Sequence, residues 1–387
     1  MDDRSAGTRG IALTERQRIA WLRLIRSDNV GPVTFRDLIN HYGSAETALD
    51  MLPELSRRGG ASRSIRIAGM AEAEREMESA ARHGAAFVGI GEPDYPLLLR
   101  QIDGAPPLLA VKGDRKAATM PAVGIVGARN ASAASMKFAG FMAREIGRAG
   151  YTVVSGLARG IDTAAHRASL ETGTVAAMAG GLDRPYPPEN VDLLAEITGG
   201  RGLAISEMPF GWEPRARDFP RRNRLIAGMA LGLVVVEAAV RSGSLITARN
   251  AADFGRLVFA VPGSPLEPRC EGTNGLLKDG ATVTTTPQDV LDALRPLAEP
   301  DLFSPRSGAA DQAGERALGV SSTMRLPPND RERDRIAEAL SPVPTDIDDV
   351  IRHTGIAAAT VYLVLLELDL AGRLHRHAGG GVSIAPD

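Results

Sequence analysis

Between Ala122 and Leu294 the chain repeats one pattern: a short unbroken apolar run, a glycine, then a segment whose apolar residues recur every three or four positions. The runs read AVGIVGA, YTVVSG, TVAAMAGG, GLAISE, LGLVVVEA and RLVFAVPG. Continuous β-branched runs mark strands covered on both faces, and the helical segments between them mark crossovers. The pattern predicts an α/β domain around a central doubly wound parallel sheet of extended Rossmann type. Ahead of it, from Glu15 to about Arg58, apolar residues at helical spacing predict short helices joined through Val30-Gly31-Pro32. They form a small all-helical N-terminal module of the helix-hairpin-helix or SAM-like kind. One helix (Met70–His83), an extended AAFVGI and a proline-punctuated piece lead into the main domain. Pro296–Pro328 lacks periodicity and reads as a flexible linker. RERDRIAEAL, TDIDDVIRHTG and AAATVYLVLLELDLAGR then give three helices, and LHRHAGGGVSI gives a glycine-tipped hairpin, which together predict a C-terminal winged-helix module. The expected divisions are 1–62, 63–295, 296–328 and 329–387, with residues 1–14 a loose N-terminus.

Composition narrows the function. A formal net charge of -2 argues against a wholly basic nucleic-acid binder, so any such site is local. One cysteine excludes a disulfide framework and a multi-cysteine metal site, and six scattered histidines show no HExxH spacing. No metal is expected. The start MDDRSAGTRG is polar and no apolar stretch reaches membrane-spanning length, so a cytoplasmic protein with no membrane partner is expected.

Ligands of such sheets bind beyond the carboxyl ends of the strands, at the switch in strand order. The loops there are Gly127-Ala128-Arg129-Asn130, Ser155-Gly156-Leu157-Ala158-Arg159-Gly160, Gly180-Gly181 and Arg241-Ser242-Gly243-Ser244. Each is a glycine-bearing turn feeding a helix N-terminus, where backbone amides and the helix dipole favour a phosphate. With no GxGxxG, no acidic residue at the ribose position and no GxxxxGK[ST], a dinucleotide cofactor or a P-loop is not expected, and no cofactor is assigned. Arg129 and Arg159 stand beside these amides as ligand contacts. After the fourth strand comes PFGWEPRARDFPRRNRLIAGMA, which sets Arg215, Arg217, Arg221, Arg222 and Arg224 around Phe219 and reaches Asn223 at a helix start. Arginine forks suit phosphate oxygens and a phenyl ring stacks on any base, so the segment predicts one wall of a pocket for single-stranded DNA. Arg217, Arg221 and Arg222 are expected beside Phe219, with Arg224 turned toward the fold. The bland alternative is a core Phe219 with solvated arginines.

From about Glu92 to Leu294 the chain resembles the DNA-processing protein A (DprA, or Smf) family, through GIVGARNAS, VVSGLARGIDTAAHRASL, TVAAMAGGLDRPYPPEN, SEMPFGWEPRARDFPRRNRLIAGMA, VVVEAAVRSGSLITARNA, VFAVPGSP and EGTNGLLKDGATVTTTPQDVL in the family's order. The resemblance implies a non-catalytic protein that binds single-stranded DNA, protects incoming strands in natural transformation, loads the RecA recombinase onto them, and dimerises through the Rossmann domain. It puts the DNA pocket at Arg129 with Gly127 and Ala128, at the Ser155–Gly160 turn, and at Phe219 with its arginines. Some members carry a lysine before that phenylalanine, and here Arg215 and Arg217 are the candidates to replace it. The homodimer face maps to Asn274–Val283, with Asn274, Leu277 and Val283, for which ordinary core packing is the alternative. Two other readings stand beside this one. A phosphoribohydrolase-type Rossmann enzyme would need a PGGxGTxxE signature, but the sequence has EAAVRSGSLITA, and Glu207, Glu237 and Asp162 are the only carboxylates near strand ends. A transcription regulator would need base-reading side chains on the third winged-helix helix, which has no arginine before Arg373; His375, Arg376 and His377 on the wing are its phosphate candidates.

Overall fold

The computed structural model describes residues 12–298, 328–377 and 379–385. They belong to two compact units, one drawn from Arg75–Ser304 with the stretch up to Leu13, the other from Thr14–Glu74 with Pro305–Asp387. The chain begins with α1 (Glu15–Ile25), α2 (Pro32–Tyr42) and α3 (Ala45–Arg58). Thr14 and Gln17 form a capping box on α1, and Ser44 caps α3. In the Val30-Gly31-Pro32 turn, Gly31 is the N-cap of α2 and Pro32 its first residue, where a missing N–H costs nothing. α4 (Met70–Arg82) follows.

The central unit continues through β1 (Ala86–Gly89), α5 (Leu97–Arg100), β2 (Leu108–Gly113) and α6 (Lys116–Thr119). Strands and helices then alternate as β3 (Ala122–Val126), α7 (Ala133–Arg148), β4 (Thr152–Ser155), α8 (Ile161–Ala168), β5 (Thr174–Ala177) and α9 (Val191–Gly199). The second half runs β6 (Leu203–Ser206), α10 (Asp218–Met229), β7 (Gly232–Val235), α11 (Gly243–Asp253), β8 (Leu257–Ala260), α12 (Glu271–Lys278), β9 (Thr282–Val283) and α13 (Pro287–Ala298). Among the described residues the sheet has nine strands in the order β1-β2-β6-β5-β4-β3-β7-β8-β9. The order reverses between β3 and β7, which pair directly.

β3 to β7 are buried along their whole length, because alternate residues enter two cores. Val123, Ile125, Val153 and Val234 pack with Met142 and Ile146 of α7 and Val290 and Leu294 of α13. Val154, Val175, Ile205 and Val235 face the other way, onto Leu225, Ile226 and Met229 of α10 and Ala248 of α11. The expected parallel sheet holds from β3 to β9, but one edge departs from it: β2 is antiparallel to β6, and β1 is antiparallel to β2. α5 is a single turn, so the proline-rich connection folds the chain back beside β1 where a parallel pair would need a full crossover.

The linker expected over 296–328 lies outside the described residues except at its ends, and Pro296 belongs to α13. The last elements are α14 (Asp330–Glu338), β10 (Thr345–Asp346), α15 (Ile347–Thr354), α16 (Ala358–Leu370), β11 (Leu374–Arg376) and β12 (Gly381–Ile384). This winged helix carries one strand beyond the expected hairpin, since β10 pairs with β12. α16 carries apolar residues on more than one face because it serves two cores. Val361, Val364, Leu365 and Leu368 pack within the winged helix, while Leu366 and Leu370 join Leu38, Leu52 and Leu55 of the N-terminal helices. Polar contacts reinforce this second unit: Asn29 donates to the Leu370 carbonyl at 2.9 Å, and Thr34 to Asp369 at 2.8 Å. No single described helix is long and apolar enough to cross a membrane.

Candidate nucleic-acid interface

The carboxyl ends of β3, β4 and β5 bring together a narrow cleft lined by Arg129, Gly156, Ala158, Arg159, Tyr186, Pro187, Phe219 and Arg222. Its floor depends on two glycines. A Cβ on Gly156 would lie 1.5 Å from Arg222 Nη1, so only glycine lets that guanidinium lie across the loop. Gly160, at φ +74°, brings the loop after β4 within 2.3 Å of the Ala128 carbonyl, measured from the Cβ it lacks. This close approach sets Arg129 and Arg159 on adjoining walls. Arg222 is nearly buried, donates to the Ala177 carbonyl at 3.2 Å, and its Nε has no hydrogen-bond partner among the described residues. Burial lowers its pKa to about 10, opposed by the charge of Asp162, so it stays protonated at neutral pH.

The backbone amides expected to hold phosphate are largely taken by the protein. Asp162 accepts from the amides of Gly156 at 3.0 Å and Ala158 at 3.2 Å, and the Leu157 amide donates to His166 Nε2 at 3.3 Å. Burial raises the Asp162 pKa, while Arg222 and the two amides pull it back. At the reversal of strand order Glu237 accepts from the Ser132 amide and, at 2.8 Å, from its hydroxyl, so a carboxylate already sits at the start of α7. Anion capture therefore falls to guanidinium groups. Arg159 pairs with Glu189 at 3.6 Å, but both side chains are more than half exposed and the pair is worth little.

The aromatic wall differs from the expectation in its details. The Arg129 guanidinium lies over the Phe219 ring, 5.1 Å from its centroid. Tyr186 meets the same ring edge-on at 5.5 Å and is 47% exposed. One Phe219 face is thus covered by a cation, and the open ring is that of Tyr186, which sequence reasoning missed. The signal was present: LDRPYPPEN continues directly from Gly180-Gly181, so the strand-end rule extends to it. The cleft holds about 10 Å³, room for one water-sized group. It has room for one oxygen-sized group, and anything larger must lie outside it, beside Tyr186 and Phe219.

The other arginines divide. Arg221 and Arg224 both pair with the buried Glu207, Arg221 at 3.1 Å. Arg224 turns into the fold as expected, but Arg221 is also committed to Glu207 and does not line the cleft. Arg215 stacks over Trp212 at 4.7 Å, and Asp218 pins this loop by accepting from the Arg215 amide and Trp212 Nε1. Arg217 is the exposed N-cap of α10, outside the cleft lining. Three candidates turn inward or elsewhere: Ser155 is fully buried and donates to the Ile125 carbonyl, Asn223 bonds the Gly243 carbonyl, and Ser242 caps α11. Gly127 and Ala128 supply backbone below Arg129. At the other edge of the sheet Asn274 bonds both backbone groups of Gly263, Leu277 is half-buried, and Val283 is 55% exposed on β9. In the winged helix Arg376 is held by Asp37 and Asp369, and His377 contacts Ser383. Among the described residues no cluster of His, Cys, Asp and Glu has metal-holding geometry.

The profile of the DNA recombination-mediator protein A family matches residues 86–295, which covers every residue lining the cleft. The chain belongs to this family. A DprA-like N-terminal HHH domain matches residues 15–79, and a DprA winged helix domain matches residues 320–380. Among its relatives, Protein Smf of Synechocystis sp. is 31% identical over 93% of this chain and 96% of its own length. DNA processing protein DprA of Streptococcus pneumoniae is 43% identical over 51% of this chain and 70% of its own. The crystal structure of the S. pneumoniae protein has a TM-score of 0.60 at 33% identity, covering 73% of this chain and 98% of that one. A Helicobacter pylori DNA processing protein A, described for its unique single-stranded DNA binding mode, has a TM-score of 0.50 at 28% identity, covering 55% of this chain and 96% of that one.

The loop that carries the cleft is tied to a titratable residue behind it. His166 is fully buried, accepting from Leu157 at Nε2 and donating from Nδ1 to Thr174 Oγ1 at 2.7 Å. Burial lowers its pKa to about 3, with Arg222 adding to the effect. The folded value lies below the unfolded one, about 6.5, so the unfolded chain takes up the proton first. His166 therefore contributes stability that is complete above about pH 6.5 and is lost as pH falls toward about 3. The unfolding midpoint of wild type should drop across this window by more than that of His166→Gln; parallel pH profiles from thermal unfolding would refute the assignment.

Proposed function

We propose that this protein binds single-stranded DNA at the cleft and acts as a non-catalytic mediator that protects the strand and passes it to the RecA recombinase in DNA uptake and recombination. One observation carries the reading: a cation–aromatic cluster, with Arg129 over the Phe219 ring and Tyr186 edge-on to it, lines the same cleft as a buried, incompletely bonded Arg222. Guanidinium groups without base-edge readers fit a backbone, and open rings fit unstacked bases of any sequence. The single-stranded DNA binding of the H. pylori relative supports the same reading. Binding rather than hydrolysis is further supported by the state of the three strand-end carboxylates: Glu207 is taken by two arginines, Glu237 by Ser132, and Asp162 by two amides. A homodimer through β9 and α12 is part of the proposal, because Val283 lies exposed on a sheet edge. Val283→Glu should then convert a dimer to a monomer in sedimentation, and an unchanged species would remove this part.

Binding of a fluorescent oligo-dT strand tests the site. With three to five phosphates captured, log affinity should fall against log salt with a slope of roughly -2 to -3.5. Arg129→Ala should weaken binding about tenfold, equally for all sequences, and flatten the slope by about 0.7. Tyr186→Ala should cost about 1–3 kcal/mol with little change of slope. Wild-type affinity in both variants would refute the placement.

A further inference from the structure

The geometry points to a second stretch of the strand's path, in the groove between α7 and α8, which receives single-stranded DNA as it leaves the cleft. This inference rests on the cleft being the primary site. The groove encloses about 500 Å³. Its floor is made of small residues, for Gly140 faces the Ala164 carbonyl and the Ala168 methyl, each 3.7 Å from where its own Cβ would lie. Along it stand Phe141 and Met136, 44% and 37% exposed, and three cations: Lys137, Arg144 and Arg167. None of the three cations has an ion-pair partner among the described residues, whereas neighbouring Arg148 is paired with Glu145 at 2.8 Å.

Two features choose a nucleic acid as the occupant. The first is charge: a rim of unpaired cations around an exposed phenyl ring repeats, in open form, the chemistry of the cleft, and it complements a phosphate chain carrying bases. The second is continuity. α7 starts four residues after Arg129, and Gly160, next to Arg159, is the N-cap of α8. Both helices therefore begin at the cleft and lead away from it. At 1.5 Å per residue, Lys137 lies about 6 Å and Arg144 about 17 Å along α7, and Arg167 about 9 Å along α8. The cations thus form a graded row along the line a strand would take. A protein segment docking here would use the apolar floor and leave the short-strand and long-strand affinities alike.

The test compares labelled oligo-dT of about six nucleotides, long enough to cross the mouth of the cleft but not the groove, with one of about twenty, which spans both. In the full chain, the triple variant Lys137→Ala, Arg144→Ala, Arg167→Ala should bind the long strand about tenfold more weakly. Its salt slope should be shallower by about 2, for three lost phosphate contacts. Phe141→Ala should weaken the long strand at least fivefold with its slope retained. Affinity for the short strand serves as the control for folding and should match wild type in both. If the triple variant holds the long strand like wild type while Arg129→Ala loses both strands, the groove is no part of the path. The same result accompanied by lost recruitment of a protein partner would make it a docking face instead. Short-strand binding that survives Arg129→Ala would overturn the cleft, and this inference with it.

Discussion

A cation without its full complement of partners lies under the cleft at the carboxyl edge of the sheet. Burying a guanidinium is costly, and Arg222 is offset only in part, by the Ala177 carbonyl and by the charge of Asp162. The surrounding structure follows from that placement. Gly156 is bare so that Arg222 can cross it. Asp162 binds the amides of the same loop and supplies a counter-charge from beneath. Neutral His166 supports the loop from behind without adding a second positive charge. Arg129 and Arg159 remain exposed on the outer walls of the cleft. The arrangement provides a focused positive site in a chain of net charge -2.

The arginine-rich segment before and within α10 shows how one sequence run serves three purposes. Its arginines look equivalent in the sequence, yet successive helical positions point in different directions. Arg222 faces the sheet edge, while Arg221 and Arg224, on either side of it in sequence, converge on Glu207. Arg215 and Trp212 fold the preceding loop onto Asp218. Most of the positive charge in this run thus holds the wall in place, and of its arginines Arg222 alone lines the cleft.

The strands from β3 to β8 are legible in the sequence because burial on both faces demands unbroken apolar runs, which few other structures require. The antiparallel edge is legible only in part: AAFVGI marks β1, but β2, at six residues the longest strand of the sheet, directly follows Pro106-Pro107 and is hidden in a stretch dominated by proline punctuation. That the loops after β3, β4 and β5 meet in one cleft was legible, since carboxyl-edge placement follows from topology alone. Which amides are free does not follow, because Asp162 reaches back to Gly156 and Ala158 through the geometry of one turn. Tyr186 escaped for a different reason: it stands beyond the glycine pair that closes its strand. In the winged helix, the absence of arginine from α16 was visible. Its physical reason, that Leu366 and Leu370 complete the core of the N-terminal helices, needed the fold.

The central claim is that a buried arginine seated on Gly156 makes the single-stranded DNA site. Gly156→Ala tests it most directly, since this change alters no charge and adds one methyl group where Arg222 Nη1 now lies. Oligo-dT affinity should be measured by fluorescence anisotropy, with thermal unfolding confirming a folded chain. The account predicts a loss of at least about tenfold at unchanged net charge. Wild-type affinity in a folded Gly156→Ala protein would contradict it.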